Sequence, residues 1–297
     1  MNIVLGGGIA GLVVAYHRKG YDLITDKVGG QMKSTFPLGP RMLHATKEMS
    51  DFLVNDLSMI TNKKLAVIGY SDGLRFASKA SDEFREKYFE KSRHESSENM
   101  TSGVMSNAKN VFEYYDVGLN TVISRLTREI AEDERIIEDT VQRIDVENKI
   151  VYTRNDEYVY ENLVSTLPLP VFNKLAGLNL EYDFSALDKT FVLVRNCFLY
   201  DNTKSYIYFI NQPFTRITQY ENGQHIVEFT GLREEEALQH CVDRDMFVMF
   251  SQQLPRSQIK KSIDVLPEID GVEFVGRYSR WNHSIRTEDI VKHERQM

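Results

Sequence analysis

The feature that most constrains this chain lies four residues in. The short apolar run Ile3-Val4-Leu5 passes straight into Gly6-Gly7-Gly8-Ile9-Ala10-Gly11. An apolar helical pattern follows (Leu12, Val13, Val14, Ala15), then a second strand-like run, Tyr21-Asp22-Leu23-Ile24-Thr25. Asp26 closes that run, and Gly29-Gly30 comes just after. Strand, glycine turn, helix, strand, acid is an order that few folds accept.

Each part has a physical job. Gly6 lets the chain turn sharply out of the strand. Gly8 has no Cβ, so a pyrophosphate can approach the backbone, and Gly11 lets the helix pack close to the strand. The helix begins near Ile9 and Ala10, where unpaired N–H groups and the positive dipole end face a phosphate. Asp26 lies fifteen residues past Gly11. That is slightly short for a ribose-binding acid, so Thr25 or Lys27 could share the role. A ligand-free strand-to-helix turn would show the same glycines. The flanking strand, helix, acid and second glycine pair favour a dinucleotide.

Composition narrows the rest. A chain of 297 residues makes one large domain or two intertwined ones. Its net charge of −7 argues against a broad nucleic-acid surface, which needs a basic footprint, and leaves room for a local basic pocket. Cys197 and Cys241 have neither metal nor redox spacing and read as reduced thiols. No metal constellation and no Ser-His-Asp set stands out. No apolar run approaches the length of a membrane span, so no membrane partner is expected. A strand starting at residue 2 leaves no room for a leader, and the expected compartment is the cytoplasm.

Further along, residues 47–60 read as an amphipathic helix (Met49, Phe52, Leu53, Leu57, Ile60), 65–70 as a strand and 82–91 as a charged helix. The polar stretch 92–107 reads as a linker or a lid. Residues 120–132 are helical, and 136–166 suggest a β-meander. Four aromatic and β-branched strands follow within 191–230, then helices over 234–241 and 244–254. A strand over 272–275 leads to a last helix from about residue 285.

Several of these segments resemble one superfamily. A glycine fingerprint with a Gly-Gly pair after the second strand is similar to the N-terminus of the FAD-dependent amine oxidase and protoporphyrinogen oxidase group. The segment Leu38-Gly39-Pro40-Arg41-Met42-Leu43-His44-Ala45-Thr46 is similar to the Gly-Pro-His-Ile-Phe-His-Thr loop of the UDP-galactopyranose mutases. The segment Pro213-Phe214-Thr215-Arg216 is similar to their Pro-Tyr-Thr-Arg. Two departures stand out. Gln31 replaces the arginine that follows Gly-Gly in the oxidases, and Arg41 replaces the first histidine of the mutase loop.

The resemblance implies bound FAD. Gly6, Gly8, Ile9, Ala10, Gly11, Thr25, Asp26, Gly29, Gly30 and Gln31 would form its N-terminal contacts. Gly39, Pro40, Arg41 and His44 would lie by the flavin ring, Met42 would be a further cofactor contact, and Val141 would lie by the adenine. Thr166 would sit in the turn that re-enters the flavin domain. Gly276, Arg277, Asn282, His283, Ser284 and Ile285 would form the C-terminal contacts. His44, Arg216 and Arg277 are the catalytic candidates. For His44 and Arg216 a core-packing or surface role stays open beside the catalytic one.

The implied fold is α/β: a Rossmann-like FAD-binding domain from 1–60, 110–170 and 264–297. A mostly antiparallel β plus helical substrate domain would be inserted from 61–109 and 171–263. The implied activity is an oxidoreductase acting on a small polar substrate. The alternatives are an isomerase of the mutase type using reduced flavin on an anionic, nucleotide-linked substrate, a flavin-dependent lyase on a modified nucleotide or amino-acid adduct, and a flavin-free scaffold.

Overall fold

A computed structural model describes residues 1–30, 43–72, 76–77, 79–92, 111–195, 197, 206–219 and 223–297. In chain order, β1 (Asn2–Leu5), α1 (Ile9–His17) and β2 (Tyr21–Thr25) open the fold. A two-residue β3 (Leu43–His44) leads into α2 (Lys47–Ser50), β4 (Lys63–Ser71), β5 (Phe76–Ala77), α3 (Asp82–Ser92) and β6 (Val111–Tyr115). Helix α4 (Leu119–Glu132) precedes five short strands: β7 (Ile136–Glu138), β8 (Val141–Asp145), β9 (Ile150–Thr153), β10 (Glu157–Val159) and β11 (Asn162–Ser165). After α5 (Leu169–Leu175) come β12 (Ala186–Arg195), β13 (Tyr206–Phe209), β14 (Arg216–Gln219), β15 (His225–Thr230), α6 (Glu234–Val242) and β16 (Phe247–Ile259). Strand β17 (Val272–Phe274) and α7 (Thr287–Glu294) end the chain.

The first sheet is parallel throughout, in the order β17-β11-β1-β2-β7. Its central strand explains the unbroken apolar run at the N-terminus, because both faces are covered. Val4 packs with Leu12, Leu126 and Val291 of α1, α4 and α7. Ile3 and Leu5 turn the other way, into a cluster with Val151, Leu169, Phe172 and Trp281. That second face is covered by α5 and by the antiparallel sheet β10-β9-β8. Fully burying each such side chain is worth about 1.5–3 kcal/mol. The turn after β1 therefore stands on a rigid base.

Arg18, just past α1, ties that helix to the C-terminal segment. Its guanidinium binds Glu273 and Glu294, each at 2.7 Å. Burial pulls the Arg18 pKa down, but hydrogen bonds to the two carboxylates outweigh it and the net shift is upward. Glu273, His293 and Glu294 have the spacing of metal ligands. Their two carboxylates already hold Arg18.

The large sheet runs β16-β12-β15-β14-β13-β4-β6-β3, with β5 beside β4. Its pairs are antiparallel except β13 with β4. Side-chain alternation divides it cleanly. Val192, Val194, Ile217, Val227 and Phe229 pack against Ala237 and Cys241 of α6. Lys189, Arg216, Glu228, Tyr206 and Tyr208 belong to the opposite face.

Three segments depart from the sequence expectations. The helix expected over 47–60 is α2 followed by a π-helical stretch, Asp51–Asp56, and it stops there. The helix expected over 244–254 is the edge strand β16. β12 offers a ladder from Ala186 to Arg195 that β16 completes. A register shift between Leu187 and Lys189 lies opposite Pro255 and Arg256. The last helix starts at Thr287, two residues later than the sequence suggested. The 92–107 stretch lies, from residue 93 on, outside the described residues.

Candidate functional site

The turn after β1 is held by hydroxyls and by close backbone contact. Gly6 has φ +100°, a conformation that glycine accepts without strain. A Cβ on Gly11 would lie 1.8 Å from Gly6 O, so the helix could not approach the strand this closely with any other residue. Gly7 N–H donates to Thr25 Oγ1 at 3.0 Å, and Gly29 N–H to Gly7 O at 2.7 Å. A Cβ on Gly30 would lie 3.2 Å from Gly8 Cα. The two glycine pairs thus pack directly on one another.

Gly8 differs from these neighbours. A Cβ there would meet nothing within 4 Å, and its φ of −70° and ψ of 177° suit any residue. The space above Gly8 is open, and the N-terminus of α1 borders it. No side chain caps that helix and its first turn carries no acid. The N–H groups at its start lack intrahelical partners by geometry. Helix α7 makes the opposite choice: Glu288 and Asp289 occupy its first turn, and Asp289 Oδ2 accepts the Arg286 N–H at 2.8 Å. An anion is thus welcome at α1, while α7 is already satisfied by its own acids.

Two sequence candidates turn out to shape the turn. Thr25 Oγ1 accepts from Gly7 N and Lys27 N and pairs with Lys27 O, so it has nothing left for a ribose. Thr166 Oγ1 pairs with Leu5 O at 2.8 Å and lies 3.0 Å from Gly6 O. Asp26, in contrast, is exposed at the end of β2, and its carboxylate has no partner among the described residues. Val141 stands one strand over: Glu138 pairs with Thr25, and Asp139 N–H donates to Thr25 O at 2.9 Å. Gln31, Gly39, Pro40, Arg41 and Met42 lie outside the described residues.

The C-terminal segment meets this turn. Gly276, at φ +100°, approaches so closely that a Cβ would lie 2.9 Å from Ala10 Cβ. From there the loop is knit internally. Arg277 Nε donates to Ile285 O at 2.9 Å, and Asn282 Oδ1 accepts from Ser284 N at 3.0 Å and Oγ at 2.7 Å. His283 N–H donates to Ser262 Oγ at 3.2 Å. Trp281, wholly buried against Phe184, anchors the loop in the core.

A circuit of contacts runs from this loop across the large sheet and back. The charge of Arg277 bears on Lys189. Lys189 Nζ binds Glu228 at 2.6 Å, and Arg216 Nη2 binds the other Glu228 oxygen. The Arg216 guanidinium lies 5.7 Å and 5.6 Å from the ring centres of Tyr206 and Tyr208. Tyr206 touches Phe112 edge-on at 5.4 Å, and Phe112 meets the His44 ring at 5.0 Å. His44 Nδ1 then lies 3.3 Å from Arg286 Nη1 and 3.5 Å from Glu288 Oε1. His44 and Arg216 are thus linked through the rings of Phe112 and Tyr206, although they are far apart in sequence.

Electrostatics mark these residues. Burial pushes the Glu228 carboxyl up, but Arg216 and then Lys189 pull it down to about 2. Burial lowers Lys189, and the neighbouring Arg216 and Arg277 lower it further, against the pull of Glu228. Burial also lowers Arg277. Burial raises Glu288, yet hydrogen bonding to His44 brings the net shift downward. His44 Nδ1 thus lies within reach of both Arg286 and Glu288. Lys189, Glu228, Glu288, Phe112, Tyr206 and Tyr208 were not singled out from sequence. Only their assembly on one sheet face marks them.

An open cavity of about 930 Å³ borders the same C-terminal segment, lined by residues 264–276 with Arg280, Ile285, Asp289, Ile290 and His293. Its wall carries Asp264, Glu268, Asp270, Glu273 and Asp289, the wrong sign for a pyrophosphate.

No protein-family model and no curated protein sequence matches the chain. Solved structures do. An oxidoreductase from Methanosarcina mazei is similar at 11% identity and TM-score 0.69, over 99% of each chain. A reduced UDP-galactopyranose mutase aligns at 12% identity and TM-score 0.67, over 97% of this chain and 92% of its own. A putrescine oxidase redesigned at its cofactor site aligns at 10% identity and TM-score 0.63, over 99% and 97%. At these identities the likeness is one of fold. Over nearly its whole length, the chain shares with these proteins an α/β fold with a parallel sheet and helices.

Proposed function

We propose that the chain is a FAD-dependent flavoenzyme, an oxidoreductase of the amine oxidase and protoporphyrinogen oxidase type acting on a small polar substrate. The observation that carries this reading is the open space at Gly8, beside an uncapped and acid-free helix N-terminus. It stands in a fold shared with a redesigned putrescine oxidase and an oxidoreductase.

In this reading the N–H groups of Gly8, Ile9, Ala10 and Gly11 hold the pyrophosphate, and Asp26 accepts hydrogen bonds from ribose hydroxyls. Gly6, Gly29, Gly30, Thr25 and Thr166 hold the turn in shape. Val141 borders the adenine, and Gly276 to Ile285 close the site from the C-terminal side. Bound flavin supplies the electron-accepting chemistry. The chain's own residues orient the substrate between the flavin side and the large sheet. His44 moves a proton at Nδ1 with Glu288 and Arg286 as its partners.

A second reading, an isomerase that works on reduced flavin, draws support from the likeness to a reduced UDP-galactopyranose mutase and from the buried arginines. Stopped-flow spectroscopy under anaerobic conditions separates the two. In the oxidoreductase reading substrate bleaches the oxidised flavin with no added reductant. Turnover only after prior reduction, with the flavin still reduced at the end, supports the isomerase instead.

A further inference from the structure

Strand β16 is an edge that the fold leaves long. It ends the large sheet, and among the described residues no strand pairs with its outer side. It has 13 residues. The other edges of the two main sheets are short: β17 and β7 have three residues each, and β3 has two. An edge strand offers a row of backbone N–H and C=O groups to a passing chain, and proteins blunt it with charge, proline, bulges or brevity.

β16 is blunted toward both ends and not in its middle. Pro255 and Arg256 lie opposite one register shift on β12, and a second shift leaves Met249 without a partner in the ladder. Between them, Phe250-Ser251-Gln252-Gln253-Leu254 runs in register opposite Leu193 to Lys189, with no charge and no proline. Phe250 and Leu254 pack against Phe191, Leu193 and Ile226 and stay partly exposed. Phe247 and Met249, just before, are exposed.

This segment is complementary to itself. Antiparallel pairing about Gln252 sets Gln252 against its own copy, Ser251 against Gln253, and Phe250 against Leu254 on both sides of the axis. Phe250, Gln252 and Leu254 share one sheet face, so a two-fold axis through Gln252 keeps each pair on one side of the sheet. The two Phe–Leu pairs then join the apolar clusters of the two copies. Glu234 bonds Ser251 and Asp188 bonds Gln253, the two residues of the opposite face. Charge selects the orientation. Exposed Asp243 and Asp245 precede the strand, and exposed Arg256 and Lys261 stand toward and beyond its far end. Antiparallel pairing brings the acidic end of each copy beside the basic end of the other, whereas parallel pairing would bring like charges together.

We propose that two copies of this chain pair β16 to β16, antiparallel about Gln252, and form a reversible dimer with one continuous sheet. The surface lies outside the flavin reading and does not depend on it.

Sedimentation velocity on the purified protein over a range of concentrations tests it, and a concentration-dependent dimer is expected. Gln252→Lys sets two ammonium groups against each other at the axis and should raise the dissociation constant at least tenfold. Ile60→Lys, at a fully exposed position elsewhere, should leave it unchanged. Cross-linking places the axis. Gln252→Cys should join to its own copy in oxidised glutathione, each new disulfide releasing two reduced glutathiones, and Ile60→Cys should not. Cys197 and Cys241 are buried and do not compete. Gln252→Cys adds no charge to the edge, so it tests the pairing even if Gln252→Lys fails to fold. A monomer at every concentration, a dimer that Gln252→Lys leaves intact, or cross-linking no stronger at position 252 than at position 60 would overturn the proposal.

Discussion

The turn after β1 and the charged face of the large sheet both carry positive charge, by opposite means. The turn uses partial charges on backbone N–H groups and a helix dipole, with no charged side chain involved. Its ingredients are glycines, and its cost is conformational. The sheet uses full charges on Lys189 and Arg216, and one carboxylate, Glu228, pairs with both. Its cost is desolvation. The turn should therefore be insensitive to pH and broken by steric change. The sheet face should be sensitive to both charge and pH.

The largest effect on stability is expected from Glu228→Gln, which leaves two buried cations without their carboxylate. Removing one partner of a buried ion pair costs about 3–5 kcal/mol. Urea denaturation at pH 7 measures it. The pH dependence has a definite sign. The folded-state pKa of Glu228 is depressed to about 2, so its contribution is present above the ordinary carboxylate range and lost as pH falls toward that value. The stability gap between wild type and Glu228→Gln should close between about pH 4 and pH 2. A gap that stays constant with pH would mean the carboxylate is not ionised in the fold.

Gly11→Ala comes next. Its Cβ would collide with Gly6 O, and forcing helix and strand apart costs about 3 kcal/mol. The same denaturation curve checks it, and a cost near zero would mean the helix is not seated as described. Asp289→Ala removes the acid that caps α7, with a loss of about 1 kcal/mol. Flavin content should not change, because the proposed function puts the ligand at α1.

Gly8→Val should have the smallest effect on folding and the sharpest effect on binding. Its backbone angles suit valine and its Cβ would meet no protein atom. Stability should move by less than about 1 kcal/mol. Bound flavin should nevertheless be lost, because the branched side chain fills the phosphate approach. Full flavin loading in this variant would break the contrast between Gly8 and Gly11.

The two regions also differ in how much of them the sequence displayed. The turn is local: Gly6, Gly8, Gly11 and Asp26 fall within one strand–helix–strand unit, so spacing alone exposes it. The sheet face is assembled from positions 189, 216 and 228, which share no spacing. It exists only once β12, β14 and β15 pair in their observed register. Glu228 sits in a run, His225-Ile226-Val227-Glu228-Phe229-Thr230, that otherwise reads as plain strand. Strand β16 was hidden for a related reason. Its residues tolerate either structure, and the open edge of β12 decides the outcome. Thr25 and Thr166 show the reverse limit. Their positions were visible beside the glycines, but only the hydrogen bonds reveal that they shape the turn.

The measurement that tests the central claim most directly is the visible absorption spectrum of freshly purified protein, before and after anaerobic dithionite. Yellow protein whose bands bleach on reduction is the predicted result, and it would fix a flavin at the turn after β1 when paired with colourless Gly8→Val. Colourless protein that takes up no added FAD would contradict the account.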